Sequence, residues 1–65
     1  MRITLNGAPR DVSATRLDDI LAELGYGEAK VATAVNEDFV AIAMRTQTFL
    51  TEHDRLEIVA PQQGG

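Results

Sequence analysis

The chain opens Met1-Arg2-Ile3-Thr4-Leu5-Asn6-Gly7, and this stretch, read together with Leu17-Asp18-Asp19-Ile20-Leu21-Ala22-Glu23-Leu24-Gly25, decides the fold class. Met1, Ile3 and Leu5 alternate with Arg2, Thr4 and Asn6, the period-two pattern of a half-buried strand. Asn6-Gly7 tolerates the positive φ angles of a type I′ hairpin turn. The return strand, Ala8 to Val12, contains Pro9, which lacks an N–H and so belongs at a sheet edge. In the second stretch Leu17, Ile20, Leu21 and Leu24 follow i, i+3, i+4, i+7 and line one face of a helix. Thr15 is the expected N-cap, and Asp18 and Asp19 place negative charge in the first turn, where the macrodipole favours it. Gly25 suits the left-handed position beyond the last turn.

Outward from this core of the pattern, Val31, Thr33 and Val35 alternate with Ala32 and Ala34 as a third strand. Asn36-Glu37-Asp38 signals a turn into a fourth strand, Phe39 to Ala43. Thr46 to Leu50 is expected to form one helical or 3₁₀ turn that tucks Phe49 or Leu50 beneath the sheet. Glu52-His53-Asp54 is a polar turn before the last strand, Arg55 to Val59, with Leu56 and Ile58 facing inward. Five short strands and one amphipathic helix form two layers, an α+β architecture with the helix packed on one sheet face. Residues 1–59 form the expected domain, and residues 60–65, Ala60-Pro61-Gln62-Gln63-Gly64-Gly65, form an expected flexible tail ending in Gly-Gly.

With 65 residues, the chain has material for one domain and not for walling off a ligand cavity of roughly 300–1,000 Å³. An enzyme complete in itself is not expected. The absence of cysteine excludes disulfides, thiolate catalysis and cysteine-ligated metal sites. Six Lys/Arg against ten Asp/Glu give a net charge of −4, and the basic residues are scattered singly, so nucleic acid is not an expected partner. The opening residues hold no signal-peptide core, and the longest apolar run, Phe39 to Met44, is far too short for a membrane span. The expectation is an acidic, soluble, cytoplasmic protein with no membrane partner.

Three features bear on function. Asp18 with Asp19, Glu37 with Asp38, and Glu52 with His53 and Asp54 are written like acid–base or metal sets, but helix starts and turns attract these residues for structural reasons. His53 is the only histidine, so no metal site and no catalytic residue is assigned. The run Phe39-Val40-Ala41-Ile42-Ala43-Met44 is apolar on both strand faces, so either another segment covers its outer side or it forms a partner surface to which Val59 contributes. Finally, two terminal glycines arise by chance in roughly 0.5% of chains, and Gly64 and Gly65 serve no turn or helix end. Without Cβ atoms they would let the backbone enter a channel too narrow for side chains and adopt any φ/ψ it needs.

Ile3-Thr4-Leu5-Asn6-Gly7, Val31-Ala32-Thr33-Ala34-Val35-Asn36, and Asp54-Arg55-Leu56-Glu57-Ile58-Val59 leading to Gln63-Gly64-Gly65 together resemble the ubiquitin-like β-grasp sulfur carriers, most closely those of the ThiS type in thiamine biosynthesis. The resemblance covers essentially the whole chain. It implies a β-grasp fold with a five-stranded mixed sheet, and a carrier that is a substrate of an activating enzyme rather than an enzyme. It further implies that the carboxylate of Gly65 is adenylated and converted to a thiocarboxylate that donates sulfur for thiazole formation. Gly64 and Gln63 then enter the partner's channel, and Val40, Ile42 and Val59 form the docking surface. Partners implied are a ubiquitin-activating-type adenylyltransferase, thiazole synthase and a sulfur donor such as a cysteine desulfurase. ATP and magnesium belong to the activating partner, and the domain itself holds no cofactor. Arg45 stands where the family often has arginine after the fourth strand, preceded here by Met44 where proline is common.

Two other readings use the same residues. A carrier resembling the small subunit of molybdopterin synthase shares the fold and the thiocarboxylate chemistry, in chains that generally run longer. A β-grasp interaction module with an inert tail binds its partner without covalent chemistry.

Overall fold

The computed structural model describes residues 1–60. Strand β1 (Arg2–Leu5) turns through Asn6 and Gly7, at φ 48° and 86°, into β2 (Ala8–Asp11). Thr4 lies opposite Pro9, and the Thr4 N–H is directed away from β2 to the Asp54 carbonyl at 2.9 Å. Thr4 and Pro9 therefore face each other where an antiparallel ladder has no hydrogen bonds, so the proline's missing donor breaks nothing. The second hairpin repeats the design. Strand β3 (Ala32–Val35) turns through Asn36 and Glu37, at φ 50° and 74°, into β4 (Asp38–Val40).

Strand β5 (Arg55–Val59) inserts between the hairpins, parallel to β1 and antiparallel to β3, giving the mixed order β2-β1-β5-β3-β4. Its side chains alternate as expected, with Leu56 and Ile58 buried and Arg55, Glu57 and Val59 exposed. Helix α1 (Leu17–Glu23) lays Leu17, Ile20 and Leu21 against Ile3, Leu56 and Ile58, with Val12, Val31 and Leu50 closing the core. This is the five-stranded α+β arrangement expected of a β-grasp chain.

The helix ends where a glycine allows it. Gly25, at φ 93°, donates to the Ala22 carbonyl at 3.1 Å, and Tyr26 donates to the Leu21 carbonyl at 2.7 Å. This pair of bonds is a Schellman motif, and Tyr26 packs back against the core beside it. The start differs from expectation. Arg16, not Thr15, occupies the N-cap and makes no side-chain cap. Neighbouring chain does the work instead: Leu17 donates to the Thr48 carbonyl and the Thr15 carbonyl accepts from Leu50, both at 2.8 Å. The Glu23 carboxylate also reaches back to the N–H groups of Ser13 and Ala14, at 2.9–3.0 Å, tying the helix to the loop that enters it. These three backbone-directed bonds hold its pKa below the ordinary glutamate value, the Ala14 bond first.

The apolar run after the second turn also differs. β4 ends at Val40, and a 3₁₀ helix spans Ile42–Gln47, earlier than the expected turn at Thr46 to Leu50. The cause is Arg45. Its side chain enters the protein, with Nη2 donating to the Val31 carbonyl at 2.6 Å and Nε donating to Thr33 Oγ1 at 3.2 Å. Anchoring residue 45 there rolls the chain out of the sheet after Val40. Leu50 then fills the core, as one of the two expected candidates, and Phe49 stays exposed.

Candidate functional site

The strand that leads to the C-terminal segment lies in the middle of the sheet, and its two sides are held differently. Toward β3 the backbone pairing continues to the end, with Val59 opposite Ala32. Toward β1 it runs out, because β1 turns away at Asn6. There the Asn6 side chain takes over: Ile58 N–H donates to Asn6 Oδ1 at 2.8 Å, and Asn6 Nδ2 donates to the Ile58 carbonyl at 3.1 Å. A carboxamide presents the same acceptor and donor as a peptide group, so one side chain replaces the next peptide of a longer β1.

The outer sheet face near this point is apolar. Val31, Ala32, Ile42 and Val59, with Lys30, line an open groove of about 490 Å³ beside the end of β5. Ile42 and Val59 are 72% and 62% exposed, and Phe39 is 72% exposed opposite Ala34 on the same outer face. Single exposed apolar residues are ordinary, whereas a contiguous apolar set is the feature that makes this face the candidate site.

Of the three surface residues expected from the sequence, the structure brings together Ile42 and Val59. Val40 is corrected: it lies opposite buried Thr33 and packs half-buried against the core. Period two explains it, since Phe39 takes the outward position that leaves Val40 facing in. Ile42 reaches the groove from the 3₁₀ helix instead of from a strand. Gln63, Gly64 and Gly65 lie outside the described residues.

Most members of the carboxylate sets are tied into the structure. Asp18 accepts from Arg16 Nε at 2.6 Å, and that bond holds its pKa down. Asp54 accepts from Asn36 Nδ2 at 3.0 Å and from the Thr51 N–H at 2.8 Å; the Asn36 bond is the larger cause of its lowered pKa. Glu52 accepts from the Arg2 N–H at 2.8 Å, and Glu37 lies 3.7 Å from Arg55. Among the described residues no three His, Asp or Glu side chains are grouped to hold a metal ion. No helix there is long and apolar enough to cross a membrane.

Two residues that shape this region have roles the sequence did not show. Arg45 was legible as the arginine that often follows the fourth strand in the resembled family, but not as a buried donor, and Asn6 only as half of a turn. The signal for Asn6 was present in duplicate, because Asn36 opens the other hairpin and bonds the other end of β5: Arg55 N–H donates to Asn36 Oδ1 at 3.0 Å.

A family model, the ThiS family, matches residues 3–65. A thiazole synthase of Paramagnetospirillum magneticum is 36% identical over 66 aligned positions, which cover 100% of this chain but only 20% of that protein. The crystal structure of the thiamine biosynthesis protein ThiS from Geobacter metallireducens superposes with a TM-score of 0.83 at 23% identity, covering 100% of both chains. An NMR solution structure of a thiamine biosynthesis protein from the same organism gives 0.80 at 22% identity, over 100% of this chain and 88% of that one. At these identities the two structures speak for the fold, and the family match speaks for descent. With that match running from Ile3 to Gly65 over the five-stranded sheet and helix described above, the chain belongs to the ThiS family, sulfur carriers built on the ubiquitin-like β-grasp fold.

Proposed function

We propose that this chain carries sulfur on the carboxylate of Gly65 for thiazole formation in thiamine biosynthesis. The observation that carries the reading is the family match, which continues past the last strand and through Gln63-Gly64-Gly65. A carboxylate is a poor electrophile until one oxygen becomes part of a good leaving group. A ubiquitin-activating-type adenylyltransferase supplies that by joining the Gly65 carboxylate to the α-phosphate of ATP and releasing pyrophosphate. A persulfide sulfur then attacks the carbonyl carbon and AMP departs, leaving an acyl disulfide. A thiol cleaves its S–S bond, is itself oxidised to a disulfide, and leaves the thiocarboxylate on Gly65. ATP and magnesium act within the partner, and a cysteine desulfurase is the natural source of persulfide.

In this reading the domain is a handle and the tail is the reagent. Residues 1–59 are recognised, Gln63 and Gly64 enter the partner's channel, and the groove at Ile42 and Val59 docks. That the matched relative is a thiazole synthase five times this chain's share supports a synthase as the acceptor of the sulfur. The domain is a substrate, not a catalyst, and works in the cytoplasm where ATP and persulfide are made.

Intact mass spectrometry tests the proposal. After incubation with the adenylyltransferase, ATP and a persulfide donor, the mass should rise by one oxygen-for-sulfur exchange localised to Gly65. An unmodified mass would overturn it. Deleting Gly65 separates the carrier from an inert-tail module: the carrier loses all ATP-dependent activation, whereas the module keeps its partner. A molybdopterin-type carrier is distinguished by which synthase consumes the thiocarboxylate.

A further inference from the structure

We infer that Asn6 is a positioning residue for the C-terminal segment, setting where the strand that carries it leaves the sheet. This inference rests on the proposal that the tail is inserted into a partner. The backbone of β5 divides its hydrogen bonds between its two neighbours. The N–H of Asn36 donates to the Arg55 carbonyl, so Arg55, Glu57 and Val59 direct their backbone groups to β3. Leu56 and Ile58 direct theirs to the other side, where the Leu56 carbonyl accepts from the Asn6 N–H at 2.9 Å. Beyond that bond β1 is gone. The Ile58 N–H and carbonyl are met by the Asn6 carboxamide alone, at 2.8 and 3.1 Å. Val59, next in sequence, is the last strand residue before the segment that ends at Gly65.

The two asparagines make a built-in comparison. Both sit at the first central position of a hairpin turn, at φ 48° and 50°, and both bond β5 through side-chain and backbone atoms. Asn36 holds the entering end, at Arg55, and Asn6 holds the leaving end, at Ile58. Loss of either weakens the sheet. Only loss of Asn6 strips a partner from the backbone next to the tail, leaving the end of β5 held by β3 alone and so less narrowly aimed. A reacting group held loosely spends less of its bound time in the productive pose.

Glycine is the informative substitution, because it removes the carboxamide while accepting the positive φ that the turn needs. Asn6→Gly and Asn36→Gly are compared as full chains ending at Gly65, and Asn6→Asp is added as a variant that keeps the acceptor for the Ile58 N–H and loses the donor. Amide hydrogen exchange should accelerate at Ile58 by about tenfold or more in Asn6→Gly and not in Asn36→Gly, since the bond lost there is local. In ATP–pyrophosphate exchange with the adenylyltransferase, Asn6→Gly should lower kcat severalfold with KM unchanged, and Asn6→Asp should fall between it and the wild type. Asn36→Gly should keep the wild-type kcat. A residue that merely stabilises the fold would act through the folded fraction, raising apparent KM and leaving kcat intact.

Equal kcat in the two glycine variants, or Ile58 exchange unchanged in Asn6→Gly, overturns the inference. Wild-type chain that never supports pyrophosphate exchange overturns the carrier proposal instead, and the amide comparison then still decides whether Asn6 holds the end of β5.

Discussion

The guanidinium of Arg45 donates to the carbonyl of Val31 at 2.6 Å from a side chain that is itself buried, at 9% exposure. Among the described residues no carboxylate is paired with it; its other bond goes to Thr33 Oγ1, which in turn donates to the Val40 carbonyl at 2.9 Å. One cation thus holds three segments: the start of β3, the end of β4 and the 3₁₀ helix. Charge-assisted bonds to neutral acceptors offset the cost of taking a guanidinium out of water.

Replacing Arg45 should therefore be costly. Arg45→Ala removes the donor and leaves the Val31 carbonyl buried without this partner, for an expected loss of about 2–4 kcal/mol. Arg45→Lys should recover little, because a point ammonium cannot reach two acceptors as a planar fork does. Urea unfolding monitored by circular dichroism checks both. Stability within about 0.5 kcal/mol of wild type for Arg45→Ala would show that the linkage is incidental.

The second hairpin turn carries a correctable strain. Glu37 sits at φ 74°, in the place that Gly7 occupies in the first hairpin at φ 86°. A residue with a Cβ pays roughly 1–2 kcal/mol to hold the left-handed region. Its contact with Arg55, 3.7 Å apart between exposed side chains, returns little. Glu37→Gly should accordingly raise stability by about 0.5–1 kcal/mol, after the extra freedom glycine gains in the unfolded chain. A lower melting temperature would contradict this account of the turn.

Acid should loosen the fold in a defined way. Asn36 and the Thr51 N–H hold the Asp54 carboxylate below its ordinary pKa, and the N–H groups of Ala14 and Ser13 do the same for Glu23. A lowered folded-state pKa means that the stabilisation is present above the unfolded-state value and is lost as pH falls through the folded-state value. Stability should thus decline below about pH 5, where unfolded carboxylates begin to bind protons first. The variant Glu23→Gln should show lower stability at neutral pH and a shallower decline in acid. Parallel curves of unfolding free energy against pH for variant and wild type would rule Glu23 out as a contributor.

The apolar groove separates folding from docking. Val59 and Ile42 are exposed, so Val59→Glu and Ile42→Glu should change stability by no more than about 0.5 kcal/mol. If the groove docks on the adenylyltransferase, each should reduce kcat/KM for adenylation by about tenfold or more through KM. Val40→Glu is the contrast: its side chain packs against the core, so it should destabilise the fold. Wild-type KM in both groove variants would remove this face from the docking surface.

The elements most legible in the sequence were those specified by neighbours along the chain. Alternation in Ile3, Leu5, Leu56 and Ile58 foretold their inward faces, Asn6-Gly7 foretold the turn, and Gly25 foretold the end of the helix. The break in the apolar run was not legible. Phe39 to Ala43 reads as one strand on propensity, and the long-range bond from Arg45 to Val31 that accompanies its end at Val40 has no local signal.

Periodicity and turn chemistry, which act over a few residues, determined the strands, the helix and the two-layer class, and the family relationship was legible from the motifs that reach Gly65. Tertiary structure alone decided which apolar residues share a surface: Ile42 joins Val59 from a helical turn while Val40 faces the core. It also decided that Asn6 grips Ile58, 52 positions away, and that Arg45 is inside. The physical reason is common to all three. A side chain's partner across the sheet is set by where the strands meet, and local sequence preferences carry no record of that meeting.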